Sequence, residues 1–532
     1  MSHAEVRALL GAGRVHDARA ACRVLLRRDS RDIEALRLDA VAAALQKDFA
    51  AAITAFERAL QLAPEDAMTL HNYGAALIES GRPAEALASL RRAVELRSHA
   101  DWHCDLGTAL ALTGALEEAL AEFRAALELR PESVAALRGL GSTLNSLGLF
   151  DAALEPLQRV VASGPEDADA FNNLGIALQH TGRLEEALAA FERALTLDPT
   201  RAIARFNYGV ALLKAGDFAR GWEAYESRLA GVVRPTPPPG AVHWVQGLDA
   251  LDRPLRVVAE QGLGDAIQFV RYGALLRARG VRATLQCDPR LVALLATADG
   301  FDAVVPHGEA PSCPAWLPLL SLPRLLGTRV ERIPARMPYL RADPARAPRW
   351  RARLETVAPA VRVGIAWQGN PGAERGTLRG RSVPLAAFAP LAALEGVRLV
   401  SLQVGAGGEQ LAAIDFAPRI LSFGAELDAG PQAFLDTAAI LDSLDLVVTS
   451  DTALAHLAGA LGRPVWVALH TNSDWRWLTV RSDSPWYPTM RLFRQSRPGD
   501  WAGVFAAMAG ELAALIARRA IAGPAQQNGH TR

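Results

Sequence analysis

A period of about 34 residues constrains this chain more than any other feature. Gly74, Gly107, Gly141, Gly175 and Gly209 fall 33, 34, 34 and 34 residues apart, and Pro131, Pro165 and Pro199 keep the same step. One unit reads FNNLGIALQHTGRLEEALAAFERALTLDP, Phe171 to Pro199. Its apolar residues recur at helical spacing in two segments broken at Thr181-Gly182. Gly175 and Ala187 are small where two antiparallel helices must approach closely. Phe191 and Ala194 continue the packed face, and Pro199 closes the second helix. Such units stack on their neighbours and fold as an array.

The pattern resembles the tetratricopeptide repeat. Cruder copies begin near Val6 and Asp39. In the last copy, Arg205 to Val233, Gly221 and Arg228 replace expected alanines, as suits a terminal repeat meeting another surface. About seven repeats over residues 1–233 are expected to form an all-α solenoid with a concave inner face. One inner position reads Asn72, Asp105, Gly139, Asn173 and Asn207 in successive repeats. A side-chain amide both donates and accepts, so Asn72, Asn173 and Asn207 are candidate acceptor-binding residues for an extended peptide backbone. The row resembles the asparagine ladder of protein O-linked N-acetylglucosamine transferases, interrupted by Gly139 and altered by Asp105. The alternative, that these polar groups serve only local helix contacts, stays open. Repeats of this type bind protein, so a protein partner is expected on the concave face.

The proline-rich stretch GVVRPTPPPGAVHW, Gly231 to Trp244, ends the repeats. The whole chain has 532 residues, room for two to four domains. Its formal net charge is zero, so nothing draws it generally to nucleic acid or an anionic membrane. Cys22, Cys104, Cys287 and Cys313 lie far apart without a C-x-x-C pair, which speaks against a zinc site. The opening MSHAEVRALL lacks a signal-peptide pattern, and no apolar run of about 20 residues is evident. A cytoplasmic protein without a membrane span is expected. Lys47 and Lys214 are the two lysines of the chain. A phosphate-binding cation in the second half is therefore expected to be arginine, or the work falls to backbone amides.

After the break, short β-branched runs alternate with helical stretches. LRVVAE leads into a helix from about Asp265 to Arg279, VRATLQC into another near Pro289 to Thr297, and FDAVVP follows. A proline-rich segment, Pro306 to Pro348, crosses to a second series: VRVGIAWQGNPG, GVRLVSLQVG, LDLVVTSD and, after the helix TALAHLAGALG, RPVWVAL. Two such series imply parallel sheets and two doubly wound lobes facing a cleft, expected at 234–345 and 346–520, with a disordered tail at 521–532. Ligands then sit at strand carboxyl ends, in the loops EQGLGD, WQGNPG and TSDTALAH. Glycine pairs let the first two approach a ligand closely, and the third opens a helix whose free N–H groups favour phosphate. No Walker A motif occurs, and Gly262-x-Gly264 lacks the third glycine of a dinucleotide fingerprint.

GLGDAIQF and SDTALAHLAGALGRPVWVAL resemble the two landmark motifs of glycosyltransferase family 9, the heptosyltransferase-like family, over roughly residues 254–518. Together with the repeats, the run DWRWLTVRSDSPWYPTMRLFRQ is similar to a bacterial subgroup of repeat-containing glycosyltransferases. The resemblance implies a GT-B fold and inversion at the anomeric carbon. It places the general base at Asp265 and the donor's sugar and diphosphate at Asp451, Thr452 and His456, with Ala453 where the family has glycine. That departure means a heptose donor does not follow.

An inverting transfer needs a base for the acceptor hydroxyl and charge stabilisation on the leaving nucleotide. Asp265 suits the first role, with helix capping as its alternative and Glu260 as a competing carboxylate. Gly262, Gly264, Gly369, Asn370, Arg381, Ser382 and, more weakly, Arg476 are candidates around the phosphates. Trp367 and Gln403 stand near strand ends where base or ribose would lie, with core packing the alternative for Trp367. His456 has a purely structural alternative. No metal is expected, because no D-x-D pair sits in these loops and helix N-termini with arginine can carry the charge. The function expected is transfer of a sugar from a nucleotide donor to an acceptor hydroxyl, on a protein recruited by the repeats. Transfer to a glycan or lipid core, or a scaffold with a degenerate transferase domain, are the alternatives.

Overall fold

In the computed structural model of the chain, residues 1–164, 166–248, 251–308, 313–355, 361–374 and 380–522 are described. Pro165 and positions 523–532, most of the expected tail, lie outside the described residues. The chain packs as two compact units, Met1–Ala177 and Leu178–Arg532.

The first unit is helical throughout, a tetratricopeptide solenoid whose helices pair in sequence order. His3–Gly11 pairs with Val15–Arg28, and Val134–Ser146 with Phe150–Ser163. Asp32, Asp48, Asp66 and Ser133 stand at helix starts and each accepts from a backbone N–H three residues on. Those bonds satisfy donors that a helix start leaves free. The periodic glycines mark the closest helix approach. A Cβ at Gly74 would lie 2.5 Å from Leu90 Cγ, and one at Gly141 2.5 Å from Leu157 Cγ.

The second unit holds the last repeat helices, Leu184–Leu197, Ala202–Ala215 and Phe218–Tyr225, and then two parallel sheets. The strands are β1 (Val242–His243), β2 (Leu255–Val258), β3 (Ala283–Cys287), β4 (Ala303–Pro306), β5 (Ala315–Pro318), β6 (Val361–Ala366), β7 (Val397–Ser401), β8 (Ile420–Leu421), β9 (Leu446–Ser450), β10 (Val465–Leu469) and β11 (Met490–Arg494). The first sheet runs β1-β5-β2-β3-β4 and the second β11-β10-β9-β6-β7-β8. Every pairing between these strands is parallel, with β2 Leu255 opposite β5 Ala315 and β6 Val363 opposite β9 Leu446. The second sheet therefore has the doubly wound order 3-2-1-4-5-6. Sequence pattern identifies the strands with long β-branched runs. It passes over β1, β5, β8 and β11, which are short or carry proline and charge.

The helix expected from Asp265 to Arg279 is two helices, Leu263–Phe269 and Tyr272–Ala278. The bend between them turns Arg271 inward, where its buried guanidinium donates to the Trp486 carbonyl at 2.8 Å and the Tyr339 hydroxyl at 2.8 Å. An aromatic cluster joins the terminal repeat to the α/β part. Trp222 meets Trp475 edge-on at 5.2 Å and Phe269 at 6.1 Å, and Phe218 lies 6.0 Å from Trp486. The last helix, Trp501–Ala522, covers the second sheet with Val504, Phe505, Met508 and Leu512. Its segment Trp501–Arg518 is long and apolar enough, by length and composition alone, to cross a membrane; it carries Glu511 and Arg518, and 22% of it is buried.

Candidate active site

Each sheet has one point where the chain leaves neighbouring strands in opposite directions, and loops there open a crevice. In the first sheet it lies between β2 and β5, in the second between β6 and β9. The three loops singled out in the sequence follow β2, β6 and β9.

After β2, Glu260 is buried and fully engaged. It accepts from Arg228 Nη2 at 2.9 Å and from the N–H groups of Leu319 and Leu320 at 2.9 and 3.2 Å. It ties the ends of β2 and β5 to the terminal repeat. Gly262 then caps the helix Leu263–Phe269. Asp265 is its third residue, and its Oδ2 accepts from the Gly262 N–H at 2.8 Å. The other oxygen pairs with Arg476, from the loop after β10. Asp265 thus both caps and faces a cation. Burial raises its carboxyl above the usual range, against the pull of Arg476 and the Gly262 N–H.

Arg476 is itself fixed on three sides. Its Nε donates to Gln268 at 2.7 Å, its Nη1 to Asp474 at 2.9 Å, and its Cζ lies 4.3 Å from the centroid of the Trp475 ring. Asp474 is held below the usual carboxylate range: burial opposes this, and the Arg476 guanidinium with its backbone and side-chain bonds prevails.

The loop after β9 meets this group directly. Thr452 caps the helix Ala453–Ala460 by position, without a side-chain capping bond; its hydroxyl lies 3.2 Å from that of Thr449. The helix start thus keeps N–H groups uncapped by side chains. Asp451 is 3% exposed. Its Oδ1 lies 3.4 Å from Arg381 Nη2, and its carbonyl accepts from the same nitrogen at 2.6 Å. Among the described residues Asp451 Oδ2 and Arg381 Nε are buried without a partner. His456 is buried, stacked at 5.4 Å on Trp477, with Nδ1 2.9 Å from the Tyr487 hydroxyl. Burial keeps its imidazole neutral, its pKa well below the ordinary value. The helices of the two lobes touch here: a Cβ on Gly264 would lie 3.0 Å from His456 Cδ2 and 3.4 Å from Ala453 Cα.

The loop after β6 closes the group. A Cβ on Gly369 would lie 3.7 Å from Thr452 Cγ2. The Gly369 N–H donates to Ser382 Oγ at 3.1 Å, and the Ser382 hydroxyl donates to Glu374. Exposed Asn370 is occupied locally, accepting from the Gly372 N–H at 3.0 Å. Two sequence candidates serve the scaffold instead. Trp367 is wholly buried beside Ile365, Val383 and Leu385, with Nε1 donating to the Gly407 carbonyl at 3.0 Å, so its ring offers a ligand no surface. The Gln403 amide accepts from the N–H groups of Trp367 and Gln368 at 3.1 and 3.0 Å and donates to the carbonyls of Gln368 and Ala406 at 2.9 and 2.7 Å. In the repeats, Asn72, Asn173 and Asn207 are half-buried on their inner helices. Asn72 Oδ1 lies 3.2 Å from His71 Nδ1, and the Asn173 carbonyl accepts from Asn145 at 2.8 Å.

Sequence reasoning gave Arg476 little weight and missed Asp474 and Tyr487. Their signal lies in the aromatic run after β10, where charged residues alternate with tryptophan, a combination that marks buried charge. It also missed Lys214, His180, His470 and Asn472. Lys214 Nζ donates to Asn472 Oδ1, and the Asn472 amide bonds His180 Nδ1.

Residues 3–67, 74–134, 117–168, 138–202 and 173–231 match a tetratricopeptide repeat family, and residues 43–103 match a second model of that repeat. Residues 422–495 match glycosyltransferase family 9 (heptosyltransferase), a stretch that holds β9 to β11, Asp451–His456 and Arg476. Protein FlbA of Caulobacter vibrioides is 30% identical over 313 residues, 53% of this chain and 50% of FlbA. The match thus spans about half the length of that relative. Among solved structures, YrrB, a TPR protein, is 23% identical with a TM-score of 0.31, over 35% of this chain and 95% of YrrB. MamA of Desulfovibrio magneticus is 28% identical with a TM-score of 0.28, over 31% of this chain and 92% of MamA.

Proposed function

We propose that this chain, in which tetratricopeptide repeats precede a family 9 glycosyltransferase segment, is an inverting glycosyltransferase of the GT-B type. It moves a sugar from a nucleotide donor to an acceptor hydroxyl on a protein held by the repeats. One observation carries this: the loop after β2 and the loop after β9, from separate sheets, meet at Gly264 and His456, with Asp265 paired to Arg476 beside them. Such a meeting puts a carboxylate and an uncapped helix start within reach of one small substrate.

In this scheme Asp265 takes the acceptor proton as the oxygen attacks the anomeric carbon. Its raised pKa makes it a stronger base than an exposed aspartate. The bond from the anomeric carbon to the leaving phosphate oxygen breaks, and Arg381 with the N–H groups at Ala453 and Leu454 receives the charge. With the Tyr487 hydroxyl donating to Nδ1, neutral His456 carries its proton on Nε2 and donates to the same phosphate or the sugar. The half-buried amides of Asn72, Asn173 and Asn207 hold backbone of the protein acceptor.

The test is turnover of a panel of nucleotide sugars by the full chain and by Asp265→Ala. Turnover is expected to fall about 10²- to 10⁴-fold while the nucleotide still raises the melting temperature. Undiminished turnover in Asp265→Ala would remove the base. Replacing Asn72, Asn173 and Asn207 together by Ala is expected to reduce transfer to protein and leave donor hydrolysis unchanged.

A further inference from the structure

Lys214 comes from the repeats, not from either sheet, yet it ends among the loops of the candidate site. It lies in the helix Ala202–Ala215 and is 6% exposed. An ammonium has three N–H donors. Among the described residues it uses one, to Asn472 Oδ1, and no carboxylate lies within 4 Å of its nitrogen. A buried, singly bonded cation is costly unless an anion completes it. Its electrostatic neighbours are the neutral imidazoles of His180 from the preceding repeat and His470 from the loop after β10, the Asp474 carboxylate from the same loop, and the Arg494 guanidinium from β11. His470 is half-buried and feels the charges of Asp451, Lys214, Arg381 and Asp474 together. Among the described residues, Arg381 Nε and Asp451 Oδ2 are also buried without partners.

We propose that Lys214 binds the anionic phosphate of the nucleotide substrate, so that the terminal repeat completes the donor site. This rests on the transferase function above. It replaces the expectation that phosphate-binding cations in the second half must be arginine, because the fold delivers a lysine from the first. It also gives the terminal repeat a reason to pack within the transferase unit: its helix adds a second cation to the one that Arg381 supplies.

The cluster has a built-in readout. Burial, with Arg494 nearby, lowers the Lys214 pKa to about 8. His180 and His470 are lowered to about 3 and about 4, so both stay neutral near pH 7 to 9. Asp474 stays ionised, and Arg494, lowered to about 10, stays mostly charged. The terminal phosphate of a nucleoside diphosphate, with a second pKa of about 6, is already mostly ionised at the lower end of that interval. Lys214 is then the group of this cluster that titrates there.

The experiment measures affinity of the full chain for the nucleoside diphosphates and monophosphates of all common bases, by calorimetry from pH 7 to pH 9. For the wild type, affinity is expected to fall about tenfold as Lys214 loses its proton. Lys214→Met is expected to bind at least about tenfold more weakly at pH 7, with a flat profile. Lys214→Arg, charged throughout, is expected to keep affinity and lose the slope; it decides the matter even if the methionine variant does not fold. Arg381→Ala serves as the reference for a donor-site cation. If Lys214→Arg keeps the wild-type slope, or Lys214→Met binds as the wild type while Arg381→Ala does not, Lys214 only docks the repeat and the proposal fails alone. If the wild type binds no nucleotide, the transferase function fails with it.

Discussion

Arg228→Met would show how much the terminal repeat contributes to the stability of the transferase unit. The Arg228 and Glu260 side chains are 0% and 2% exposed. Glu260 receives three donors, from Arg228 Nη2 and the N–H groups of Leu319 and Leu320. Methionine fills much of the arginine volume but leaves the carboxylate with two donors in a place closed to water. Removing one partner of a buried pair costs about 3–5 kcal/mol. Unfolding entropy of about 2.1 cal/mol/K per residue, over a unit the size of Leu178–Arg532, turns that into a fall of about 4–7 °C in Tm. Glu260→Gln alone leaves Arg228 with Glu226, 2.5 Å from its Nη1, and with Ser321 at 2.9 Å, and should cost less. The double variant Arg228→Met/Glu260→Gln should recover part of the loss, because Glu260 no longer carries a buried charge while Glu226 keeps Arg324 at 3.7 Å. Scanning calorimetry on the four proteins gives the cycle. Should Arg228→Met melt within about 1 °C of the wild type, or the two substitutions simply add, the pair would not hold the repeat to the sheet.

Three further outcomes are expected. Gly264→Ala places a methyl group 3.0 Å from His456 and 3.4 Å from backbone of the opposing helix; it should cost about 1–3 kcal/mol and most of the turnover, measured by urea midpoint and by donor hydrolysis. Tyr487→Phe removes the bond to His456 Nδ1, costing about 1 kcal/mol; it should raise KM for the donor more than it lowers kcat. For pH, the base must be deprotonated, and burial sets the Asp265 pKa above the ordinary carboxylate value. The acid limb of kcat/KM should therefore lie above the limb of an exposed aspartate. Since Arg476 pulls that pKa down, Arg476→Gln should move the limb to higher pH; a limb that moved lower would contradict the assignment.

Much of the candidate site was legible because strand-end loops advertise themselves. Gly262, Gly264 and Gly369 announce close approach, and Asp265, Asp451 and Thr452 are polar residues where β-branched runs end. Trp367 and Gln403 share that position, and sequence cannot tell an inward-facing strand end from an outward-facing one. Trp367 goes into the core because its register on β6 continues that of Val363 and Ile365, both buried. Arg476 was obscured because arginine is common throughout the chain, so one more carried little signal.

The sequence alone determined the two architectures and their order. Helical period, a glycine every 34 residues and alternating β-branched runs are local patterns, and local patterns are written along the chain. It also determined which loops lie at strand carboxyl ends. Tertiary structure alone decided which charges meet. Arg476 reaches Asp265 across 211 residues, Arg228 reaches Glu260 across 32, and Lys214 reaches Asn472 across 258. Partners so far apart follow from packing in three dimensions, where burial raises the cost of an unpaired charge and so selects the pairs.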